Sequence, residues 1–225
     1  MHKIELPESK ELSLNVYRNI ATCSPSQELF DDLVDLQEEF DILFDAEASA
    51  SNVDRNIPGK FRCQQYGNID DSLLCFDERF WAWGRFGDGS FGVWYSAIEE
   101  ETSIHDTLYH RPELDKNDMI NADGPIIQDR RMFSANLSLH SSVDLRTEID
   151  RYPDIVHPDD YTFCQSLGAQ AVLTGIASFQ TCSARYDGTC VPVFEPSIIT
   201  DKILYDYHNF FPLNGQPPYA TRKIL

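Results

Sequence analysis

Residues 84–110, GRFGDGSFGVWYSAIEEETSIHDTLYH, decide how this chain is interpreted. Within them Tyr95 follows Arg85 by ten residues, and Asp106 follows Tyr95 by eleven. A guanidinium binds a pyrophosphate through paired charge-assisted hydrogen bonds, and an aromatic ring stacks on a flat base. A carboxylate stabilises positive charge that develops in a transition state. These three residue types are what a site for a dinucleotide such as NAD requires.

The glycines of the same stretch, Gly87, Gly89 and Gly92, spell GxGxxG. In a Rossmann domain this motif follows a strand and opens a helix. Here it runs directly into Val93-Trp-Tyr-Ser, which is rich in β-forming residues, so we reject Rossmann-type binding. We expect instead that the backbone at Gly87 and Gly89 contacts a ligand, because glycine permits close approach and positive φ.

The charge of the chain limits its partners. The 225 residues carry a net charge of −19, with 37 acidic residues against 18 basic. Such a chain repels nucleic acid and anionic membranes, so we expect direct binding to neither. It also repels a phosphorylated substrate, so an NAD site must supply local positive charge. Arg85 and Arg185 are the candidates for that charge.

Cysteine usage and hydropathy indicate a compartment. The six cysteines form no CxxC pair and no zinc-ligand spacing, so no metal site is expected. Residues 1–13 are polar and acidic without the apolar run of a signal peptide. No segment approaches the ~20 apolar residues of a membrane span. We expect reduced thiols and a cytoplasmic location.

Hydrophobic periodicity predicts an α+β fold rather than a doubly wound sheet. Residues 1–79 are expected to form an N-terminal helical extension packed on a core of residues 80–225, in one compact domain overall. The expected helices are Glu28–Ala48, Ile98–His110 ended by Arg111-Pro112, and 158–173 with Gly175 near its C-cap. The expected strands are Phe80–Phe86, Gly92–Ala97, Met132–His140, Ile176–Cys182 and Ile203–Phe211. Asp187-Gly188 is expected to turn a hairpin between Ser183–Tyr186 and Thr189–Phe194, and Asp115–Arg131 to form a surface loop.

Several ordered blocks between residues 80 and 215 resemble the RES domain. The family pattern is Gly-Arg-aromatic, a Tyr ten residues later, and Thr-Ala-x-x-Glu ending eleven residues beyond that. The matching blocks are Gly84-Arg85-Phe86, Val93-Trp-Tyr95-Ser-Ala, Glu101-Thr-Ser-Ile-His-Asp106, Tyr161-Thr-Phe-Cys-Gln165-Ser-Leu-Gly, Gly175-Ile176 and Ser183-Ala-Arg185. Tyr17-Arg18-Asn-Ile20 is similar to the short strand that enters the family core.

The resemblance implies an ADP-ribosyltransferase-like split β-sheet with flanking helices that clasps NAD. It also implies a toxin of a toxin–antitoxin module, silenced by a helix-turn-helix antitoxin. Such a toxin consumes NAD as a substrate by hydrolysis or phosphorolysis of the nicotinamide–ribose bond. In that scheme Arg85 clamps the pyrophosphate, Tyr95 packs on the nicotinamide end, Asp106 serves the ribose, Ser183 fixes the substrate and Arg185 offers a second phosphate contact.

One departure from the family leaves alternatives open. The family glutamate is Asp106 here, one methylene shorter, and a displacement of about 1 Å can cost on the order of 10²-fold in rate. One alternative is a protein mono-ADP-ribosyltransferase, and another is a non-catalytic nucleotide-binding or interaction protein. The acceptor of ADP-ribose stays open among water, phosphate and protein, and the sequence is compatible with a homo-oligomer.

Overall fold

The computed structural model of the protein describes residues 6–7, 10–21, 71–118, 128–211 and 219–222. The chain divides into two compact units, Met1–Ala21 with Cys75–Leu225, and Thr22–Leu74. Nearly all described residues belong to the first unit, and its fold is given below. The predicted helix Glu28–Ala48 lies outside the described residues.

Seven strands, two α-helices and several short 3₁₀ turns are formed by the described residues. The strands are β1 (Lys10–Ala21), β2 (Trp94–Ala97), β3 (Gln128–Asp144), β4 (Ser178–Cys182), β5 (Thr189–Val193), β6 (Ile199–Phe211) and β7 (Tyr219–Arg222). The helices are α1 (Glu100–Asp118) and α2 (Thr162–Thr174). The 3₁₀ turns are Asp71–Phe76, Glu78–Phe80, Arg146–Glu148, Pro153–Val156 and Pro196–Ile198.

The strands form one mixed sheet in the order β1-β2-β5-β4-β3-β6-β7, in which β1 also pairs with β3. One half is the antiparallel set β2, β5 and β4, and the other is the antiparallel set β1, β3, β6 and β7. The halves are joined by the parallel pairing of Ser142–Asp144 with Ser178–Gln180 and by the pair Tyr17 and Ala97. The predicted split α+β sheet is therefore confirmed, and its two halves enclose the space in which the candidate site lies.

The long strand β3 is the backbone of the second half, and its sequence explains why. Phe133, Ala135 and Leu137 alternate along it and are buried, as a strand with an apolar face requires. The chain of β1 runs antiparallel beside it from Ala21 opposite Arg130 to Lys10 opposite Ser142. The strand Met132–His140 predicted from this alternation is confirmed and extends further at both ends.

A hydrophobic cluster fixes α2 against the sheet. Phe86, Ile155, Cys164, Leu167 and Phe179 are among its fully buried members, and the rings of Phe86 and Phe179 meet edge to face with centroids 5.7 Å apart. Phe86 follows Arg85 directly, so this core holds the backbone on which the first candidate site residue stands.

Four predictions of elements need correction. Phe80–Phe86 is not a strand: apart from the bridge between Trp83 and Asp88, its backbone has no strand partner. The helix predicted over Ile98–His110 begins at Glu100 and continues past Pro112 to Asp118, although an interior proline removes one helical hydrogen bond and clashes with the preceding turn. Ser183–Tyr186 belongs to the turn rather than to a strand, because pairing stops at Cys182 and Thr189. Asp115–Arg131 was predicted as a loop, but Asp115–Asp118 ends α1 and Gln128–Arg131 begins β3.

The remaining predictions have simpler outcomes. The strands Gly92–Ala97, Ile176–Cys182 and Ile203–Phe211 are confirmed with shifted ends, and so is the second helix, whose C-cap Gly175 has φ +73°. The division at residue 79 stays a prediction, although Lys10–Ala21 is a strand of the main sheet. Within the described residues, no helix combines the length and the apolar character needed to cross a bilayer.

Candidate functional site

A cavity of about 550 Å³ lies between the two halves of the sheet. Its lining includes Arg18 on β1, Arg130 on β3, Tyr95 on β2 and Cys190 on β5. Helix α1 contributes Asp106. Arg85 in the glycine-rich loop, Tyr95 on β2 and Asp106 on α1, all predicted for the site, thus line the same cavity.

The cavity is cationic although the protein is strongly acidic. Four arginines line it, Arg18, Arg85, Arg130 and Arg185, and Asp106 is the only acidic residue of the described lining. The chain as a whole carries −19. An anionic ligand in this cavity would therefore meet charge of the opposite sign.

Arg85 is held by the segment that precedes α2. One guanidinium nitrogen donates to the carbonyl oxygens of Ile155 at 3.3 Å and His157 at 2.8 Å, and the guanidinium carbon lies 4.5 Å from the centre of the Tyr161 ring. Stacking and two hydrogen bonds fix the plane of a long side chain, which reduces the entropy that it would lose on binding a phosphate.

Arg185 is fixed by the same segment from the other side. Its guanidinium donates to the carbonyl oxygen of Pro158 and to the Tyr161 hydroxyl at 3.4 Å, and it lies 3.2 Å from the centre of the Tyr109 ring. Its Nε is buried and has no hydrogen-bond partner among the described residues. A buried donor without a partner is costly.

Arg18 and Arg130 were missed by the sequence analysis. Arg18 donates to the Tyr95 carbonyl oxygen at 2.9 Å, and its guanidinium carbon lies 5.3 Å from the centre of the buried Trp94 ring. Arg130 is buried and donates to the side-chain and backbone oxygens of Asn19. The sequence offers a signal for Arg18 alone, which stands in the block similar to the family entry strand, whereas the loop predicted over Asp115–Arg131 gives none for Arg130.

Tyr95 lines the cavity with its ring and anchors the loop before it with its hydroxyl. The hydroxyl accepts a hydrogen bond from the Phe86 backbone N–H at 2.9 Å, and burial raises the pKa of this phenol. The residue as a whole is 38% exposed because it lines the cavity. A Cβ on Gly84 would come within 2.7 Å of the hydroxyl oxygen, so only glycine leaves room for this contact.

Asp106 is held at the cavity wall by two neutral donors. The Ser183 hydroxyl donates to Oδ1 at 2.8 Å, and the Cys190 thiol donates to Oδ2 at 2.7 Å. Burial, followed by the charge of Asp106, raises the pKa of the Cys190 thiol well above its ordinary value, so the thiol keeps its proton. These two contacts orient the carboxylate and leave its charge available to a cation formed in the cavity.

Ser183 acts behind Asp106 rather than on the cavity surface. Besides donating to Asp106, its hydroxyl accepts from the backbone N–H groups of Arg185 at 3.0 Å and Tyr186 at 3.2 Å. This turn places Arg185 and Asp106 next to each other. Ser183 itself is not part of the cavity lining, so its contacts are those of a positioning residue.

The glycine loop lies beside the cavity. Gly87 and Gly89 do not line it, whereas Gly84 does. Gly89 has φ +86°, which glycine adopts without strain, and Gly92 leads into β2 rather than opening a helix. A Cβ on Gly92 would come within 2.0 Å of the Cys75 carbonyl oxygen, so this glycine serves packing.

The family profile of the RES domain matches residues 76–213. The chain belongs to the RES domain family. The matched segment includes Arg85, Tyr95, Asp106 and the later Ser183 and Arg185 of this RES domain, and β1 with Arg18 lies before it.

No curated protein matches the chain significantly. Among solved structures, it is similar to a chain of the M. tuberculosis MbcT–MbcA toxin–antitoxin complex, with 12% sequence identity and a TM-score of 0.49. That alignment covers 88% of this chain and 85% of the other.

Among the residues that the structure describes, one group of metal-ligating residue types lies away from the cavity of the RES domain. Glu100, Asp206 and His208 come together where α1 begins beside β6. The Arg222 guanidinium donates to Asp206 and lies 3.4 Å from Glu100, and His208 Nε2 lies 3.2 Å from Glu100. One protein cation thus already pairs with both carboxylates.

Proposed function

We propose that this RES-domain protein is an enzyme that consumes NAD by cleaving its nicotinamide–ribose bond. The observation that carries the proposal is one cavity in which four arginines face a single oriented carboxylate, Asp106. RES-domain toxins generally act on NAD. The diphosphate of NAD needs the cations, and the breaking glycosidic bond needs the carboxylate.

The chemistry follows from the charges. As the bond from the ribose to the nicotinamide nitrogen lengthens, nicotinamide leaves as a neutral base and positive charge develops on the ribose. The Asp106 carboxylate stabilises that charge. The acceptor then attacks the anomeric carbon, and if the acceptor is water it loses one proton and yields ADP-ribose.

The arginines divide this work with Asp106. Arg85 and Arg185 are pre-oriented by the segment from Ile155 to Tyr161, and both keep guanidinium nitrogens for a diphosphate. The ring of Tyr95 offers a flat wall for the nicotinamide end. Ser183 orients Asp106, so its effect on the reaction passes through that carboxylate.

We further propose that the protein is the toxin of a toxin–antitoxin module with a helix-turn-helix antitoxin, acting in the cytoplasm. Family membership supports this proposal. Expression alone should then stop growth as cellular NAD falls, and co-expression of the neighbouring small reading frame should restore growth and co-purify with the protein. Growth at normal NAD levels during strong expression would contradict it.

The activity is tested by incubating the purified protein with NAD and quantifying nicotinamide by chromatography. Arg85→Ala should lose about ten- to hundredfold in kcat/KM, since a charge-assisted contact of about 1.5–3 kcal/mol is removed. Arg146→Ala is the matched control, because Arg146 pairs with Asp144 away from the cavity lining. Equal rates for both variants would refute the site.

The second product identifies the acceptor. Free ADP-ribose indicates water, a phosphorylated ADP-ribose indicates phosphate, and label transferred from NAD to protein in a lysate indicates protein ADP-ribosylation. Binding of NAD without release of nicotinamide would favour the alternative of a non-catalytic nucleotide-binding protein, which is open because Asp106 replaces the family glutamate.

A further inference from the structure

Trp83 is an exposed indole on the wall of the cavity. The residue is 72% exposed and belongs to the lining together with Phe80 and Gly84. Trp94, by contrast, is fully buried, and Trp81 is 37% exposed and is not part of the lining. Of the three tryptophans, Trp83 is thus the one that combines high exposure with access to the cavity.

The backbone that carries Trp83 is fixed. Trp83 and Asp88 form an antiparallel bridge, and the Gly84 N–H donates to the Gly87 carbonyl oxygen at 2.9 Å. Gln165 on α2 is buried and donates to the Gly84 carbonyl oxygen at 3.0 Å. A large apolar ring is therefore held by a tight hairpin with its surface left open.

The glycine loop supports the ring itself. A Cβ on Gly89 would lie 3.6 Å from Trp83 Cδ1, so the loop backbone passes beside one edge of the indole. The backbone contact of Gly87 and Gly89 with a ligand stays a prediction, and the loop in addition contacts an aromatic side chain of the cavity lining.

We propose that the Trp83 indole stacks on the adenine base of the substrate. The inference rests on the proposed function, because NAD supplies both a diphosphate for the arginines and a base beyond it. Stacking on an aromatic side chain suits any flat base. Adenine has two fused rings, as indole has, so it covers more of the exposed surface than the single ring of nicotinamide does. Burial of that surface makes Trp83 a determinant of substrate affinity.

The test separates the base from the phosphates. ADP carries adenine and a diphosphate without a scissile bond, and pyrophosphate lacks the base. Calorimetric titration should show that Trp83→Ala weakens ADP binding about tenfold and leaves pyrophosphate binding unchanged. Trp83→Phe should lose less, since a phenyl ring still stacks. Trp81→Ala is the matched control and should bind both ligands as the wild type does.

The following results would contradict stacking of Trp83 on adenine. Unchanged ADP affinity in Trp83→Ala would make the indole a protein-contact residue, and equal weakening of ADP and pyrophosphate would make it a support for the arginines. A loss for nicotinamide mononucleotide but not for ADP would place the other base on Trp83, and absence of ADP binding by the wild type would refute the base site. If the ADP result holds but NAD is not cleaved, the proposed function fails and the adenine site stands.

Discussion

Asp106 is the carboxylate to which the proposed reaction assigns the stabilisation of positive charge. It is one methylene shorter than the family glutamate, yet it reaches the cavity wall and accepts one hydrogen bond on each oxygen. The donors Ser183 and Cys190 come from the turn and the strand that follow β4. A short carboxylate with two positioning donors is well oriented, but it stands further from the centre of the cavity than a glutamate would.

Substitutions at position 106 test the role of its charge and its length. Asp106→Asn keeps the shape and removes the charge, so we expect kcat to fall on the order of 10²-fold or more. Asp106→Glu extends the carboxylate into the cavity and should raise the rate of nicotinamide release. Equal rates for Asp, Asn and Glu, with folding checked by circular dichroism, would refute the proposed role of Asp106 in the reaction.

The candidate site was partly predictable from the sequence. Arg85, Tyr95 and Asp106 were placed by their spacing and by the family resemblance, and Arg185 by its position near Ser183. Arg18 and Arg130 could not be placed, since their arrival at the cavity depends on how β1 pairs with β3 over a distance of more than a hundred residues. Cys190 was not assigned because a thiol near a carboxylate has no sequence motif.

Helix α2 packs so closely on the site loop that one position tolerates only glycine. A Cβ on Gly168 would lie 1.9 Å from the Phe86 carbonyl oxygen and 3.3 Å from Phe91 Cζ. Arg85 directly precedes Phe86 in the chain. Packing of this helix therefore controls the position of a residue that the proposed reaction requires.

Gly168→Ala should destabilise the protein by about 1–3 kcal/mol, because an added methyl group forces the helix away from the loop. Urea unfolding followed by circular dichroism measures this change, and NAD cleavage should fall with it. Gly175→Asn is the control, since a Cβ at Gly175 meets no atom within 4 Å and asparagine tolerates its positive φ. If both variants unfold at the same urea concentration as the wild type, the close packing of Gly168 against the Phe86 carbonyl oxygen is contradicted.

Elements with strong periodic patterns were predicted, and elements fixed by tertiary contacts were not. The alternation of Phe133, Ala135 and Leu137 identified β3, and Gly175 identified the end of α2. The aromatic run Phe80–Phe86 has the composition of a strand, but Gly84 must accommodate the Tyr95 hydroxyl and Phe86 enters the core. Tertiary packing overrode β propensity there.

At the scale of the whole molecule, the net charge of the chain and the charge of the cavity have opposite signs. The chain carries −19, whereas the described cavity lining holds four arginines and one acidic residue. Several weak acids are buried in the same unit, and burial raises the pKa of Cys75, Cys164, Cys190 and Tyr95 above the ordinary values. Each of these groups is neutral when protonated, so the fold favours the protonated form.

The last prediction concerns stability at alkaline pH. Burial raises the pKa of the Cys164 thiol from 9.0 to about 11. Between these values the thiol ionises in the unfolded chain but keeps its proton in the folded one. The folded state then binds more protons than the unfolded state, so the free energy of unfolding falls as the pH rises. The contribution of Cys164 to the free energy of unfolding is fully present below pH 9. By pH 11 this free energy has fallen by on the order of 2 kcal/mol.

Urea unfolding at pH 8 and at pH 10.5 measures this loss. Cys164→Ala removes the thiol, so the variant should be less stable at pH 8 because a fully buried side chain is shortened. Its stability should nevertheless fall less steeply with pH than that of the wild type, and the remaining slope should come from Cys190, Cys75 and Tyr95. Parallel slopes for the variant and the wild type would show that Cys164 ionises in the folded protein as readily as in the unfolded chain.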